Sequence, residues 1–240
     1  MPSRTYPELH WTPELITRYW DWQSQYPEEY FTFNFGAKIA QSLEPYLASR
    51  ERVLDFGCGV GHLLPHLCAP SRRVYGADTS PESIARTNER LVGTPSFEGA
   101  FLVSELRKRG EQFDAIVVVE VIEHLYDDGL DGIVGDITSM LSSDGIVIFT
   151  TPNKEDRSRS MIFCPPTGEI FHRYQHVRSW DAESLSQWLH SKGLTPQEIF
   201  ATNFAVRGGR FPLGVLKRLA KRFLFGDPGT PHLVGVAKRA

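Results

Sequence analysis

Val53-Leu54-Asp55-Phe56-Gly57-Cys58-Gly59-Val60-Gly61 decides the fold. An apolar run that reads as a buried strand breaks into glycines at alternate positions, with one carboxylate at the junction. Alternate glycines let the backbone take positive φ and let a ligand approach the main chain with no Cβ in the way. Leu63 to Leu67 then open a helix whose N-terminus points at that ligand. Strand, glycine turn and helix in this order form a cradle for a nucleoside-bearing cofactor.

The spacing narrows the cofactor. A dinucleotide fingerprint, G-x-G-x-x-G, would place its third glycine one residue beyond Gly61. Asp55 would repel a pyrophosphate but suits a cationic amino-acid moiety. S-adenosylmethionine, with an ammonium and a sulfonium at its methionine end, fits better; a NAD-type site and a plain glycine turn are the competing readings. On these residues the chain resembles the class I S-adenosylmethionine-dependent methyltransferases, in which an (L)-D-x-G-C-G-x-G element follows the first strand. The resemblance implies cofactor contacts from Asp55, Gly57, Cys58, Gly59 and Gly61.

Arg73 to Ala77 reads as a second strand ending at Asp78, whose carboxylate can take both ribose hydroxyls as donors. Thr79 joins it at the cofactor, and Thr79-Ser80-Pro81 supplies an N-cap and a first-turn proline for a helix reaching Leu91. Asp78 as a mere helix cap is the bland alternative. Most members of the resembled family carry an acid after the third strand for the adenine amino group. Ser96 to Phe101 has none at that position, so backbone groups near Ala100 are expected to serve.

Apolar strand-like runs alternate with helical patterns along the rest of the chain, which argues for a parallel sheet covered on both faces. Strands are expected near 52–56, 73–77, 96–99, 114–119, 145–150, 195–203 and 232–237. The fold expected is α/β, Rossmann-like and doubly wound, a seven-stranded, mostly parallel sheet with an antiparallel last strand. Residues 1–49 form a helical cap rich in aromatics, with Trp11, Trp20, Tyr30 and Phe31 among them, and residues 50–240 the cofactor-binding domain. Within it, 154–179 is an acceptor loop and 205–230 a helical insertion. From Leu213 to Phe225 that insertion reads as a basic amphipathic helix. Lys217, Arg218, Lys221 and Arg222 lie on one side, for solvent, substrate or a peripheral lipid contact.

The chain of 240 residues carries a net charge of −3, which gives no global attraction to nucleic acid. No apolar run reaches the roughly 18 to 20 residues needed to span a bilayer, and a signal-peptide core is absent. A cytoplasmic protein, monomer or homodimer, is the expectation. Cys58, Cys68 and Cys164 are odd in number and lack C-x-x-C spacing, so neither a disulfide framework nor a zinc knuckle is indicated.

Within Phe113 to Leu125, the apolar run Ala115 to Val119 reads as the fourth, central strand, and at its carboxyl end come Glu120, Glu123 and His124. Two carboxylates and an imidazole can hold a divalent cation such as Mg²⁺. This E-V-I-E-H string resembles the ubiquinone-biosynthesis O-methyltransferases and the small-RNA terminal 2′-O-methyltransferases. In the RNA group a H-x-x-x-W segment supplies the last ligand; His176 with Trp180 matches it, and His172 does not. The resemblance therefore implies Glu120, Glu123, His124 and His176 as ligands. Metal-independent relatives imply another assignment, with Glu120 at the methionine end of the cofactor and His124 as the general base. These roles exclude each other for His124. The expected activity is O-methylation of a small-molecule or sugar hydroxyl; an RNA 2′-O-methyltransferase and a non-catalytic S-adenosylmethionine-binding protein are the alternatives.

Overall fold

The computed structural model describes residues 5–205 and 229–240. The expected basic helix at 213–225 lies outside them. The described strands are β1 (Arg52–Phe56), β2 (Arg73–Asp78), β3 (Phe97–Leu102), β4 (Phe113–Val119), β5 (Leu141–Pro152), β6 (Met161–Cys164), β7 (Glu169–His172), β8 (Leu194–Thr202) and β9 (His232–Arg239). The helices are α1 (Pro13–Gln23), α2 (Phe31–Leu47), α3 (Leu64–Leu67), α4 (Pro81–Leu91), α5 (Val103–Arg109), α6 (Asp127–Met140) and α7 (Ala182–Ser191).

Seven strands form one sheet in the order β3-β2-β1-β4-β5-β9-β8. The first five pair in parallel, and β9 runs antiparallel to both β5 and β8. This is the expected Rossmann-like architecture. Its physical basis is a period of two in strands apolar on both faces. Along β4, Ala115, Val117 and Val119 pack with α2 and α4, while Ile116 and Val118 pack with α5, α6 and α7. Strand order reverses between β1 and β4, and the crevice at their carboxyl ends is where open α/β sheets take ligands.

Local signals start the helices where the sequence places them. Thr12 caps α1 and Ser80 caps α4, each followed by a proline in the first turn. Two features lie beyond the local signals. Ile39, Leu43 and Leu47 of α2 are fully buried in the same cluster as β1 and β4, so α2 packs into the core of the sheet. The segment 154–179 also holds a hairpin of β6 and β7, turned by Gly168 at φ 74°. Its strands have four residues each, too short for a periodic signal. The N-terminal segment fixes it by backbone bonds from Leu9 N to Ile170 O (2.8 Å) and from Ile170 N to Pro7 O (2.9 Å).

Candidate active site

A cavity of about 1100 Å³ opens at the switch point, above the typical range of roughly 300 to 1,000 Å³ for one small ligand. Asp55, Gly57, Cys58, Gly59, Asp78 and Thr79 line one half of it. Gly57 and Gly59 take φ of 76° and 52°. The N–H groups of Gly57 and Cys58 both donate to Ala77 O (2.8 and 3.0 Å), which locks the glycine turn onto the end of β2. A Cβ on Gly57 would lie 2.7 Å from Val121 Cγ2, so the turn also abuts the segment after β4. Asp78 is held from both sides: Gly59 N donates to Oδ2 (2.8 Å) and Ser80 N to Oδ1 (2.9 Å).

Two of the expected cofactor residues do not line the cavity. Gly61 does not line the cavity among the described residues. A Cβ there would lie 2.6 Å from Thr87 Cγ2, so this glycine lets α4 pack close. Ala100 is 2 % exposed, and the Asn88 side chain takes both its N–H and its C=O at 2.8 Å. Its backbone has no donor left for an adenine, and Val103 is the residue that lines the cavity beyond β3.

Burial, and then the Asp78 charge, push the Asp55 carboxyl up to about 7. Burial also raises Asp78, against the backbone donors that hold it down. Two acids in one low-dielectric recess create a demand for positive charge.

The segment after β4 forms the other half. Glu120 sits at φ 53°, a left-handed conformation uncommon for a side-chain-bearing residue and characteristic of functional turns. Its N–H bonds Thr150 O (3.0 Å), and its Oε1 accepts from Thr150 Oγ1 (2.9 Å). Burial, and then the Glu155 charge, push Glu120 up to about 7. Glu123 is 1 % exposed; its Oε2 accepts from Thr151 Oγ1 (3.1 Å), while its buried Oε1 has no partner. Burial and the Glu120 charge raise Glu123 well above the usual carboxylate range.

Hydrogen bonds fix the histidine tautomers. His124 Nδ1 faces Gln175 O at 3.4 Å; a carbonyl only accepts, so Nδ1 carries the proton. The lone pair is then on Nε2, which lies 4.0 Å from the partnerless Glu123 Oε1. Burial first, and then the neighbouring His176, lower His124 to about 3. It is therefore neutral at pH 7 and a weak base. One ligand atom each from Glu123, His124 and His176 lie within 4.8 Å of one another. Of the expected four ligands, Glu120 stands beside this trio instead of within it.

Some residues at the site escape sequence reading. Glu155, just past the Thr-Thr-Pro-Asn end of β5, accepts from His176 Nδ1 (2.6 Å). His172, set aside on spacing, belongs to a second trio with Glu155 and His176. His232 lines the cavity with Nδ1 3.9 Å from Glu120 Oε1. The position of Glu155 at the carboxyl end of a central strand is the signal that could have found it.

Tyr19, Trp20, Tyr30, Phe31 and Phe35 cover the cavity. Trp20 stands edge to face against His124, with ring centroids 5.1 Å apart at 88°. Trp20 Nε1 donates to Gln175 Oε1 (3.2 Å), and Gln175 Nε2 donates to His124 O (3.0 Å), tying α1 to the turn after β4. Three arginines of the 154–179 segment are held by neighbouring groups of the protein. Arg157 pairs with Glu8 and with His176 O, Arg159 pairs with Asp156, and Arg173 stacks on Tyr174. No helix among the described residues is long and apolar enough to cross a membrane.

Comparison with known proteins agrees with this geometry. Ubiquinone biosynthesis O-methyltransferases from Roseobacter denitrificans and Rhizobium rhizogenes are 28% and 30% identical, over 68% and 69% of this chain. The chain spans 64% and 62% of those relatives, less than two thirds of their length. Among solved structures, the DhpI complex with SAH covers 94% of this chain and 95% of its own at 17% identity, TM-score 0.60. The glycopeptide N-methyltransferase MtfA complexed with sinefungin covers 85% and 94% at 12% identity, TM-score 0.61. A family model described as a methyltransferase domain matches residues 22–199, glycine turn, carboxylate pair and both histidines of the trio included, and the chain belongs to that family.

Proposed function

We propose that this protein transfers a methyl group from S-adenosylmethionine to a hydroxyl of a small molecule, beside a divalent cation held by Glu123, His124 and His176. The observation that carries the cation is the donor set: a buried Glu123 Oε1 without a partner and two histidines whose Nδ1 atoms are already engaged. Each of these histidines has one lone pair left, on Nε2. The relatives named as O-methyltransferases support the choice of oxygen, and a cavity larger than one ligand needs supports a small acceptor beside the cofactor.

The cofactor supplies an electrophilic methyl on a sulfonium, and the cation, when bound, would lower the pKa of an adjacent hydroxyl. The chain does the rest. Asp78, held by two backbone N–H groups, presents its carboxylate to the ribose diol. Asp55 and Glu120 offer negative charge to the methionine end. The aromatic cover excludes water and restricts the acceptor to one approach. With its lone pair at about 3, His124 is too weak a base to take the acceptor proton, and donation to a cation suits it better. Glu120, beside the trio and not within it, is the carboxylate placed to take that proton.

The test is methyl transfer from labelled S-adenosylmethionine to a panel of phenols, catechols, sugars and RNA 3′ ends, in Mn²⁺, in Mg²⁺ and in EDTA. Transfer to a small hydroxyl compound that EDTA abolishes and Mn²⁺ restores is expected. EDTA-resistant transfer would contradict the cation, and transfer to RNA ends alone would contradict the acceptor.

A further inference from the structure

The Glu155-His172-His176 trio resembles a second metal site by composition, but its hydrogen bonds exclude that use. His172 is fully buried, and its Nδ1 accepts two backbone N–H bonds, from Tyr174 (3.3 Å) and His176 (3.2 Å). A neutral imidazole whose Nδ1 only accepts must carry its proton on Nε2. That protonated Nε2 makes no hydrogen bond and lies 3.5 Å from Glu155 Oε1, an electrostatic contact with the carboxylate, and it has no lone pair left for an ion. Glu155 Oε2 in turn accepts from His176 Nδ1 at 2.6 Å, within the range of charge-assisted bonds. The order runs from backbone to His172, to Glu155, to His176.

We infer that Glu155 is the positioning residue of the cation site: it fixes His176 in the Nδ1–H tautomer with Nε2 as the donor atom, and His172 holds Glu155 in place for that task. This rests on the cation reading given above. The backbone frame makes the arrangement rigid. Lys154 N bonds Trp180 O (2.7 Å), which anchors the chain next to Glu155. Val177 N bonds Glu123 O (2.9 Å), and Arg157 Nε bonds His176 O (3.0 Å), so His176 is pinned on both sides between Glu155 and the Glu123 turn. Carboxylate partners of this kind orient a ligating imidazole, raise its donor strength and typically change metal affinity 10- to 100-fold when removed.

The experiment compares wild type, Glu155→Ala, Glu155→Gln and His172→Ala by two readouts. Long-range ¹H–¹⁵N NMR of ion-free protein reads the His176 tautomer, and titration with Mn²⁺ reads affinity; binding of S-adenosylhomocysteine controls for folding. Wild type is expected to show Nδ1–H. Glu155→Ala should lose that preference and bind Mn²⁺ roughly 10- to 100-fold more weakly. Glu155→Gln, which keeps an acceptor oxygen without the charge, should fall between, and His172→Ala should show the smallest loss. Wild type protonated at Nε2, or Glu155→Ala binding Mn²⁺ as tightly as wild type, overturns the positioning role. Nδ1–H in wild type with no Mn²⁺ binding overturns the cation reading, and with it the role assigned to Glu155, while leaving the tautomer assignment standing.

Discussion

The two halves of the cavity are built differently. The half that holds Asp55, Gly57, Gly59 and Asp78 is mostly backbone: glycines at positive φ, N–H groups donating to Ala77 O and a carboxylate steadied by two amides. The other half is side chains brought together from the turn after β4, the residues after β5 and the segment after β7. A backbone site is specified by a short contiguous string, because the conformation and the ligand contact belong to the same residues. A side-chain site is specified by chain crossings that no local string records. In the proposed reading, the first half would hold the shared cofactor and the second would set the acceptor.

Substitutions should separate the halves. The largest effect is expected from Gly57→Ala, which places a Cβ 2.7 Å from Val121 Cγ2 at φ 76°. The left-handed conformation alone costs about 1–2 kcal/mol, and the clash adds to it. Urea denaturation should show at least that loss, and calorimetry a cofactor affinity reduced about tenfold or more. An unchanged cofactor affinity would mean that the turn does not hold the ligand.

A smaller effect follows from pH. Asp55 has its carboxyl near 7 in the ligand-free protein, and the cationic end of the cofactor prefers it ionised. Below pH 7 a proton must leave for the cofactor to bind, so affinity should fall as pH drops, by up to about tenfold per unit, and level off above 7. Asp55→Asn should bind more weakly and lose this slope. A slope that persists in the variant would assign it to another group.

Legibility in the sequence follows the same division. The strand and turn at Val53 to Gly61, Asp78 at the end of β2 and the Glu120-Glu123-His124 turn were readable because each is local. The motif gives the positions of Gly61 and Ala100 but not what faces them, which is Thr87 for one and Asn88 for the other. His176 was reachable only through its spacing to Trp180. Glu155 and His172 were invisible because their meeting depends on a hairpin of four-residue strands pinned by the N-terminal segment. His232 enters the site only because β9 inserts beside β5.

The most direct measurement is anomalous diffraction from crystals grown with Mn²⁺ and S-adenosylhomocysteine. The expected result is one peak about 2.0–2.3 Å from a Glu123 oxygen and from Nε2 of both His124 and His176. Glu155 should remain on His176 Nδ1. A map without a peak there, or with a peak between Glu155 and His172, would contradict the proposed site.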